Sequence, residues 1–524
     1  MNKLFRRMKR LFGNQGAESK RPSPNTEATV LQPLNEQSLI QHFKMCQDVK
    51  HHVYKLNPDD EQSRILLLYC EGLSDNKTFI HETVLPHLTR FYENNGFHHQ
   101  EEIVESSQLQ LEFVTLEEWE QTAETDIFEG KLLLFIPTLR SLFSLDISKK
   151  PARNPEESSI EVSVRGPKDG FVEELGVNVA LIRKRIKSTS MVYETKKVGV
   201  RTKTTVAILY MRDIVDPKIV QDVKNKLDDL HIDGAFSATQ LEELMEPTKA
   251  LFPLMGYTGR PDFTVNCMLN GRVALIVDGT PAALIVDGTP AALIAPANLF
   301  LLVKAPEDIH FTALSATFGQ TLRLLGLSVL LLLPAFFVAI LSYHQDQLPY
   351  YLLATLGINR LGIPFDVATE MFIVLIFLEI LREAGTRLPS AVGSTVTVVG
   401  GLILGDAAIR AGFLSPGIVV IGAITQIFGS TLSSLSLAGT ISILRFFLFI
   451  LSAMLGIYGF FLGLFIVLSH LASLRSCGLP YLAPISPPFK DLANALFRLP
   501  WPWRNTRPDM LKTRDSTRQG DKQK

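Results

Sequence analysis

The chain has 524 residues and a formal net charge of −1, long enough for two or three domains and without the global positive field that would draw it to nucleic acid. Its four cysteines, Cys46, Cys70, Cys267 and Cys477, are scattered without CxxC spacing, which argues against a disulfide framework and against a zinc site. Apolar residues are spread unevenly: 1–320 read as an ordinary soluble mixture, whereas 321–470 contain long apolar runs.

The opening MNKLFRRMKRLF carries five basic residues and no acid, and no apolar stretch of signal-peptide length follows it, so no cleavable secretory signal is expected. The front half is therefore expected in the cytoplasm, its basic start either resting on an anionic membrane surface or solvated. Residues 1–35, polar and Pro/Gly-containing from 13 onwards, read as a disordered lead-in. A first α/β subdomain is expected over 36–148. RILLLY (64–69) and KLLLFI (131–136) read as strands, and 76–85 as a helix ending or kinking before Pro86. A polar, Pro-containing joint at 149–159 opens a second α/β subdomain, 149–320. Here 173–187 reads as a helix, TTVAILYM (204–211) as a strand, and 217–230 as a helix opened by Asp216 and Pro217.

Near the end of this subdomain ALIVDGTPA occupies 274–282 and recurs unchanged at 283–291. Asp-Gly between β-prone residues is a strong hairpin signal, because both turn positions favour positive φ. One copy makes a hairpin; two would make strand, turn, strand, turn, strand. A period of nine occurring twice fits no repeat architecture, and an odd shift reverses side-chain facing. The duplication reads as a tandem insertion that lengthens one hairpin. The soluble half contains neither GxxxxGK[ST] nor GxGxxG, so DGTP is not read as a phosphate cradle.

Segments 324–342, 413–444 and 446–468 are uncharged and of a length that can cross a hydrocarbon core. An α-helical multi-span membrane domain is expected over 321–474. Between the first two runs, ATEMFIVLIFLEILREAGTRLPS (368–390) reads as an apolar helix carrying Glu370, Glu379 and Glu383. With Asp366 they form two clusters, 366 with 370 and 379 with 383, roughly on opposite faces at 100° per residue. A carboxylate in lipid is costly unless paired or wetted, so these acids are candidates for an ion path. Three structural alternatives stand beside that: an interfacial helix, pairing with Arg382 and Arg387, or burial between subunits.

Asp406 and Arg410 stand at i, i+4, the spacing of a structural ion pair. The adjoining ILGD has Ile403 where an intramembrane aspartyl protease motif, GxGD, needs Gly. GSTLSSLSLAGTIS (429–442) is small and hydroxyl-rich. Its Ser430, Ser433 and Ser434 suit either close helix packing or the lining of a water-filled path. The C-terminal tail, 475–524, carries eight basic residues against three acids from 498 on, so it is expected in the cytoplasm. With both ends cytoplasmic the span count is even, and four to six hydrophobic segments are visible.

RGPKDGF (165–171), NVALIRKRIK (178–187), GRPD (259–262), GRVALIVDGTP (271–281), PEDIHF (306–311), EILREAGTRLP (379–389), GGLILGDAAIRAGFLSP (400–416) and HLASLRSCGLPYLAPISP (470–487) follow one another in register with the hydropathy. Together they resemble the A subunits of GerA-type spore germinant receptors, over about 40–490. The resemblance implies a multi-pass protein of the spore inner membrane with a soluble half of two α/β subdomains. It implies a transporter-like B subunit carrying the nutrient pocket, a C subunit that is a lipoprotein, and self-association as an oligomeric ring. In that setting the ring opens a cation path on nutrient binding and so triggers germination. Family members usually read TERPD and EGRV; this chain has Gly259 before Arg260 and Asn270 before Gly271, and the family carries one DGTP hairpin where this chain has two.

No cofactor is implied. HExxH, GxSxG and paired metal-ligand motifs are absent, which argues against an enzyme. A secondary transporter of a small nutrient or ion is the alternative, although 321–470 show no two related halves.

Overall fold

A computed structural model describes residues 34–518 apart from 76–78, 99, 101–102, 105–108, 116–118, 150–164, 236, 247–249, 279–290, 388–404, 490–491 and 502–503. Helix α1 (Glu36–His42) begins at Asn35, whose Oδ1 accepts from Ser38 N at 2.7 Å. The first sheet follows, with β1 Val49–Lys55, β2 Arg64–Cys70, β3 Leu111–Val114, β4 Lys131–Ile136 and β5 Ser141–Asp146. Its order is β1-β2-β4-β5-β3 and every neighbouring pair is antiparallel.

The unbroken apolar runs of β2 and β4 are explained by helices on both faces. Leu66, Leu68, Leu133 and Phe135 pack with Trp119 and Phe128. Ile65, Leu67, Leu132 and Leu134, pointing the other way, pack with Leu88 and Phe91. The second pair belongs to α2 (Leu85–Asn95) and the first to α3 (Trp119–Glu129). The helix expected to end or kink before Pro86 does not end there: an irregular π-type turn, Ile80–Val84, runs into α2 with Pro86 in its first turn. A missing N–H is least disruptive at that position.

Helix α4 (Leu175–Arg183) leads into the second sheet, formed by β6 Met191–Val198, β7 Thr204–Met211, β8 Gly256–Thr258, β9 Val273–Val277 and β10 Ala292–Ala295. Its order is β6-β7-β9-β10-β8, again antiparallel throughout. Helices α5 (Pro217–Asp228), α6 (Ala238–Met245), α7 (Pro261–Leu269) and α8 (Leu299–Val303) surround it. As the sequence predicts, Asp216 caps α5, accepting from Lys218 N at 3.0 Å. In the duplicated stretch β9 pairs directly with β10, Ile276 opposite Ala292 and Leu275 opposite Leu293. The first copy supplies β9, and the end of the second copy leads into β10. Gly279 of the first Asp-Gly, the whole of the second and the expected middle strand fall on 279–290, outside the described residues.

The two sheets are tied together at their β1 and β6 edges. Cys46 forms a parallel bridge with Tyr193, and Gln47 Oε1 accepts from Thr195 N at 2.9 Å.

The C-terminal half is helical: α9 Ala313–Tyr343, α10 Tyr350–Ile358, α11 Val367–Arg387, α12 Pro416–Gly429 and α13 Leu435–Ser473. Two of these, α9 and α13, are long and apolar enough to cross a membrane. The second is not one rod, because Gly456 has φ 60° and ψ −140°. In a straight helix residues fifteen apart lie about 22 Å apart, yet a Cβ on Gly463 would stand 2.6 Å from Leu448 Cδ2. The chain therefore doubles back at Gly456 into a helical hairpin. Tyr343, at the end of α9, lies against the bend, and its hydroxyl donates to Ala453 O at 2.7 Å.

The soluble and helical halves share one core, in which Phe252, Leu254 and Leu301 pack with Leu330, Leu437 and Leu471. The chain beyond α13 returns to the second sheet. Leu299 N donates to Tyr481 O at 3.1 Å and Ser476 Oγ to Leu254 O at 2.7 Å. Cys477, Leu479 and Leu511 join the apolar layer beneath α5 and α6, and a short helix, α14 (Leu492–Leu496), lies beyond.

Candidate functional site

The apolar helices enclose two polar nodes. The first is built on Glu370, in the opening turn of α11 and fully buried. Its Oε1 accepts from Arg360 Nη2 at 3.1 Å and Nε at 3.2 Å. Its Oε2 accepts from Ser415 N at 2.8 Å, so the carboxylate also caps the exposed N–H groups at the start of α12. Both oxygens are engaged. Asp366, expected to share a cluster with Glu370, is instead exposed.

The second node is built on Glu379, about two and a half turns further along α11. Its Oε1 accepts from Arg382, and its Oε2 from Arg445 Nη2 at 3.0 Å. Arg382 also donates to Ser442 Oγ at 3.0 Å. Arg445 is 1% exposed and its Nε has no partner among the described residues. One carboxylate thus faces two guanidiniums, and the node keeps a positive excess. It fastens α11 to the first arm of the α13 hairpin. Glu383, one turn beyond, is exposed.

The sequence pattern singles out the acids but not Arg445, although a signal exists. This residue is the single charge separating the uncharged runs 413–444 and 446–468. An isolated arginine in such a setting needs a partner, and a carboxylate on the neighbouring helix is the natural one.

The serines stand apart from the acids. Ser430 Oγ donates to Ile427 O at 2.7 Å, Ser433 Oγ to Lys304 O at 3.4 Å, and Ser434 Oγ accepts from Leu437 N at 3.4 Å. These hydroxyls finish helix ends in the α12–α13 connection, and the hydroxyl that does reach the charged network belongs to Ser442. Asp406 and Arg410 form the expected i, i+4 pair at 2.8 Å, and both are exposed. Among the described residues no group of His, Cys, Asp and Glu is arranged to hold a metal ion.

Residues 37–510 match the family described as Bacillus/Clostridium GerA spore germination protein. The chain belongs to the GerA family. It is 41% identical to spore germination protein XA of Bacillus anthracis, over 93% of this chain and 97% of that one. It is 35% identical to spore germination protein KA of Bacillus subtilis (strain 168), over 89% of this chain and 84% of the relative. Among solved structures it is similar to the N-terminal domain of the A subunit of the Bacillus megaterium spore germinant receptor GerK3. That likeness has a TM-score of 0.36 and 26% identity, over 50% of this chain and 92% of the other.

Two positions where this GerA chain departs from the expected motifs have different surroundings. Beside Gly259, Arg260 turns to Asp262, with Nε–Oδ1 3.1 Å and Nη2–Oδ2 2.8 Å, and His310 Nε2 lies 2.8 Å from the same Oδ2. A carboxylate is still supplied there. Two residues after Asn270, Arg272 meets, among the described residues, only neutral oxygens, Pro296 O at 3.0 Å and Asn298 Oδ1 at 3.4 Å.

Proposed function

We propose that this GerA protein is the A-type subunit of a nutrient germinant receptor, held in the spore inner membrane by several spans with both sheets and the C-terminal tail on the cytoplasmic side. The observation that carries this reading is the family match over 37–510, which takes in both sheets and the apolar helices alike. The helices support the membrane assignment: Phe336, Phe377, Ile380, Phe461 and Phe465 all face outward and uncovered, a surface water does not tolerate at this extent.

In this reading the chain is a receptor subunit and not an enzyme. A transporter-like B subunit takes the nutrient, a C-type lipoprotein completes the complex, and copies of this chain assemble as a ring that opens a cation path. Nutrient binding shifts a closed–open equilibrium through a coupling of typically ~1–3 kcal/mol. Glu370, Glu379, Glu383, Ser430, Ser433 and Ser434 remain the conduction candidates. Glu383 is exposed on the helix surface, where a neighbouring subunit would meet it, and Glu370 and Glu379 are paired with arginines.

The experiment is potassium release from purified spores challenged with amino acids, sugars and nucleosides, comparing the parent strain with one lacking only this chain. Loss of release for one nutrient class, restored by re-expression, is the expected result. Normal release for every class, in a strain also lacking the other GerA receptors, would overturn the reading. Wild-type release from a Glu370→Gln, Glu379→Gln, Glu383→Gln variant present at normal level would remove the acids from conduction.

A further inference from the structure

Between the second sheet, the first turns of α9 and the C-terminal tail lies a cavity of about 120 Å³, far more than the ~15 Å³ one water needs. Five cationic side chains line it: Arg272, Lys304, Arg498, Arg504 and Arg518. Among the described residues none of the five forms an ion pair. Their hydrogen-bond acceptors among the described residues are all neutral. Lys304 Nζ donates to Asn494 O at 3.2 Å, and Arg498 to Phe311 O at 2.7 Å and Ile309 O at 2.8 Å. Arg518 donates to Asn270 Oδ1 at 2.7 Å and Asn266 Oδ1 at 3.1 Å. Arg272, 5% exposed, has only the Pro296 and Asn298 oxygens. The guanidiniums of Arg504 and Arg518 both lie over the Trp501 ring, at 5.1 and 5.2 Å.

Asp308 is the one carboxylate among the described lining residues, and it is already taken by Arg323 and by Ala305 N at 3.1 Å. The lining therefore carries five positive charges against one carboxylate, and among the described residues no ion pair neutralises any of the five. Like charges held together in a partly dry space oppose one another and oppose folding. Burial and the neighbouring Arg504 and Arg272 push the Lys304 ammonium down to about 8. Burial and the neighbouring Arg518 and Arg498 push Arg504 down to about 10. Proteins compensate such a set with a bound anion, and forked guanidiniums fit tetrahedral oxyanions best.

We propose that this cavity is a binding site for a phosphate group, gripped by Arg272, Lys304, Arg498, Arg504 and Arg518. The group comes either from a free phosphorylated anion or from the headgroup of an anionic phospholipid, since Gln320 of the long apolar helix α9 forms part of the wall. Once filled, the site joins three parts of the chain far apart in sequence: the turn after α7, the entry to α9, and the tail.

The test is thermal unfolding of the full-length chain in detergent micelles, with inorganic phosphate added against sodium chloride of equal ionic strength. A saturable rise in melting temperature with phosphate, absent with chloride, is expected. It should disappear in an Arg504→Gln, Arg518→Gln double variant, which without phosphate should melt no lower than the parent because repulsion has been relieved. Asn270→Glu is the second variant: it supplies a negative charge from within, so it should melt higher than the parent and lose the phosphate response. Nanodiscs of phosphatidylglycerol and of phosphatidylcholine separate the two sources. A variant-sensitive rise in phosphatidylglycerol alone assigns a lipid headgroup, and a response to inorganic phosphate in phosphatidylcholine assigns a free anion. Equal shifts with phosphate and chloride and no difference between the nanodiscs would overturn the site, as would an undiminished response in both variants.

Discussion

Arg183 and Asp48 form a two-pronged ion pair sealed from water, with Nε–Oδ2 2.8 Å and Nη2–Oδ1 2.9 Å at 0% and 4% exposure. Arg183 ends α4, Asp48 immediately precedes β1, and the guanidinium also lies 4.2 Å from the centroid of the Phe128 ring. The pair thus clamps the first sheet to the second. Asp48→Ala leaves a buried guanidinium without its counter-ion and should cost about 3–5 kcal/mol, read as a fall in the melting temperature. Arg183→Lys should also be damaging, because an ammonium cannot reproduce the fork. A loss below ~1 kcal/mol in denaturant titration would mean water reaches the pair.

The pH response should be governed by two glutamates on α6 and just after it. Burial, then the charge of Glu246, raises Glu242 to about 8, and burial raises Glu246 to about 7. Both sit above their ordinary 4.5, so the folded state binds the extra protons. The stability they contribute is complete below about pH 4.5 and is lost as pH rises through 7 and 8. Glu242→Gln should match the parent at pH 5 and melt higher at pH 9. A parent curve that climbs between pH 5 and 8 would contradict the assignment.

Gly456 is required by both backbone and space. Its φ of 60° is one that side chains resist, and a Cβ would sit 3.0 Å from the Tyr343 ring. Gly456→Ala should cost about 1–3 kcal/mol and open the hairpin to proteolysis. Tyr343→Phe, losing the bond to Ala453 O, should cost about 1 kcal/mol. Protease susceptibility of the detergent-solubilised variants distinguishes them.

Glu379 and Glu383 should part company on mutation. Glu379→Gln leaves Arg445 buried without its counter-charge and should lower the amount of folded protein in the membrane. Glu383→Gln should leave that amount unchanged, and any loss of potassium release it causes would then report on conduction. Immunoblotting of spore membranes beside the release assay separates the two effects.

Deleting 283–291 should leave the fold intact, since β9 and the residues of β10 survive unaltered. The connection shrinks from fourteen residues (278–291) to five. Loop-closure entropy, scaling as (3/2)RT ln n, then favours the shortened chain by about 1 kcal/mol. A lower melting temperature after deletion would show that the insert makes stabilising contacts.

Strand positions were largely legible because β2, β4 and β7 are apolar runs bounded by turn residues, and α5 announces itself with Asp216-Pro217. The antiparallel order of both sheets was not, since strands alternating with helices read as layers without fixing direction. The acidic helix was visible, but its meaning was not. Whether Glu370 and Glu379 meet water or arginine depends on Arg360 and Arg445, and only packing brings those residues to α11. The cationic cavity was hidden for the same reason: its five positive charges are distributed over 272–518, and no local stretch looks unusual.

The return of 475–511 to the second sheet orders events during synthesis. Tyr481 closes against Leu299, and Leu511 seals the layer under α5 and α6, yet both emerge from the ribosome after every apolar helix. The second sheet can therefore form early but reaches its finished packing only once the helices between have been placed. A nascent chain stalled anywhere in α13 would present the second sheet with its apolar layer unclosed, a surface that quality-control proteases can read.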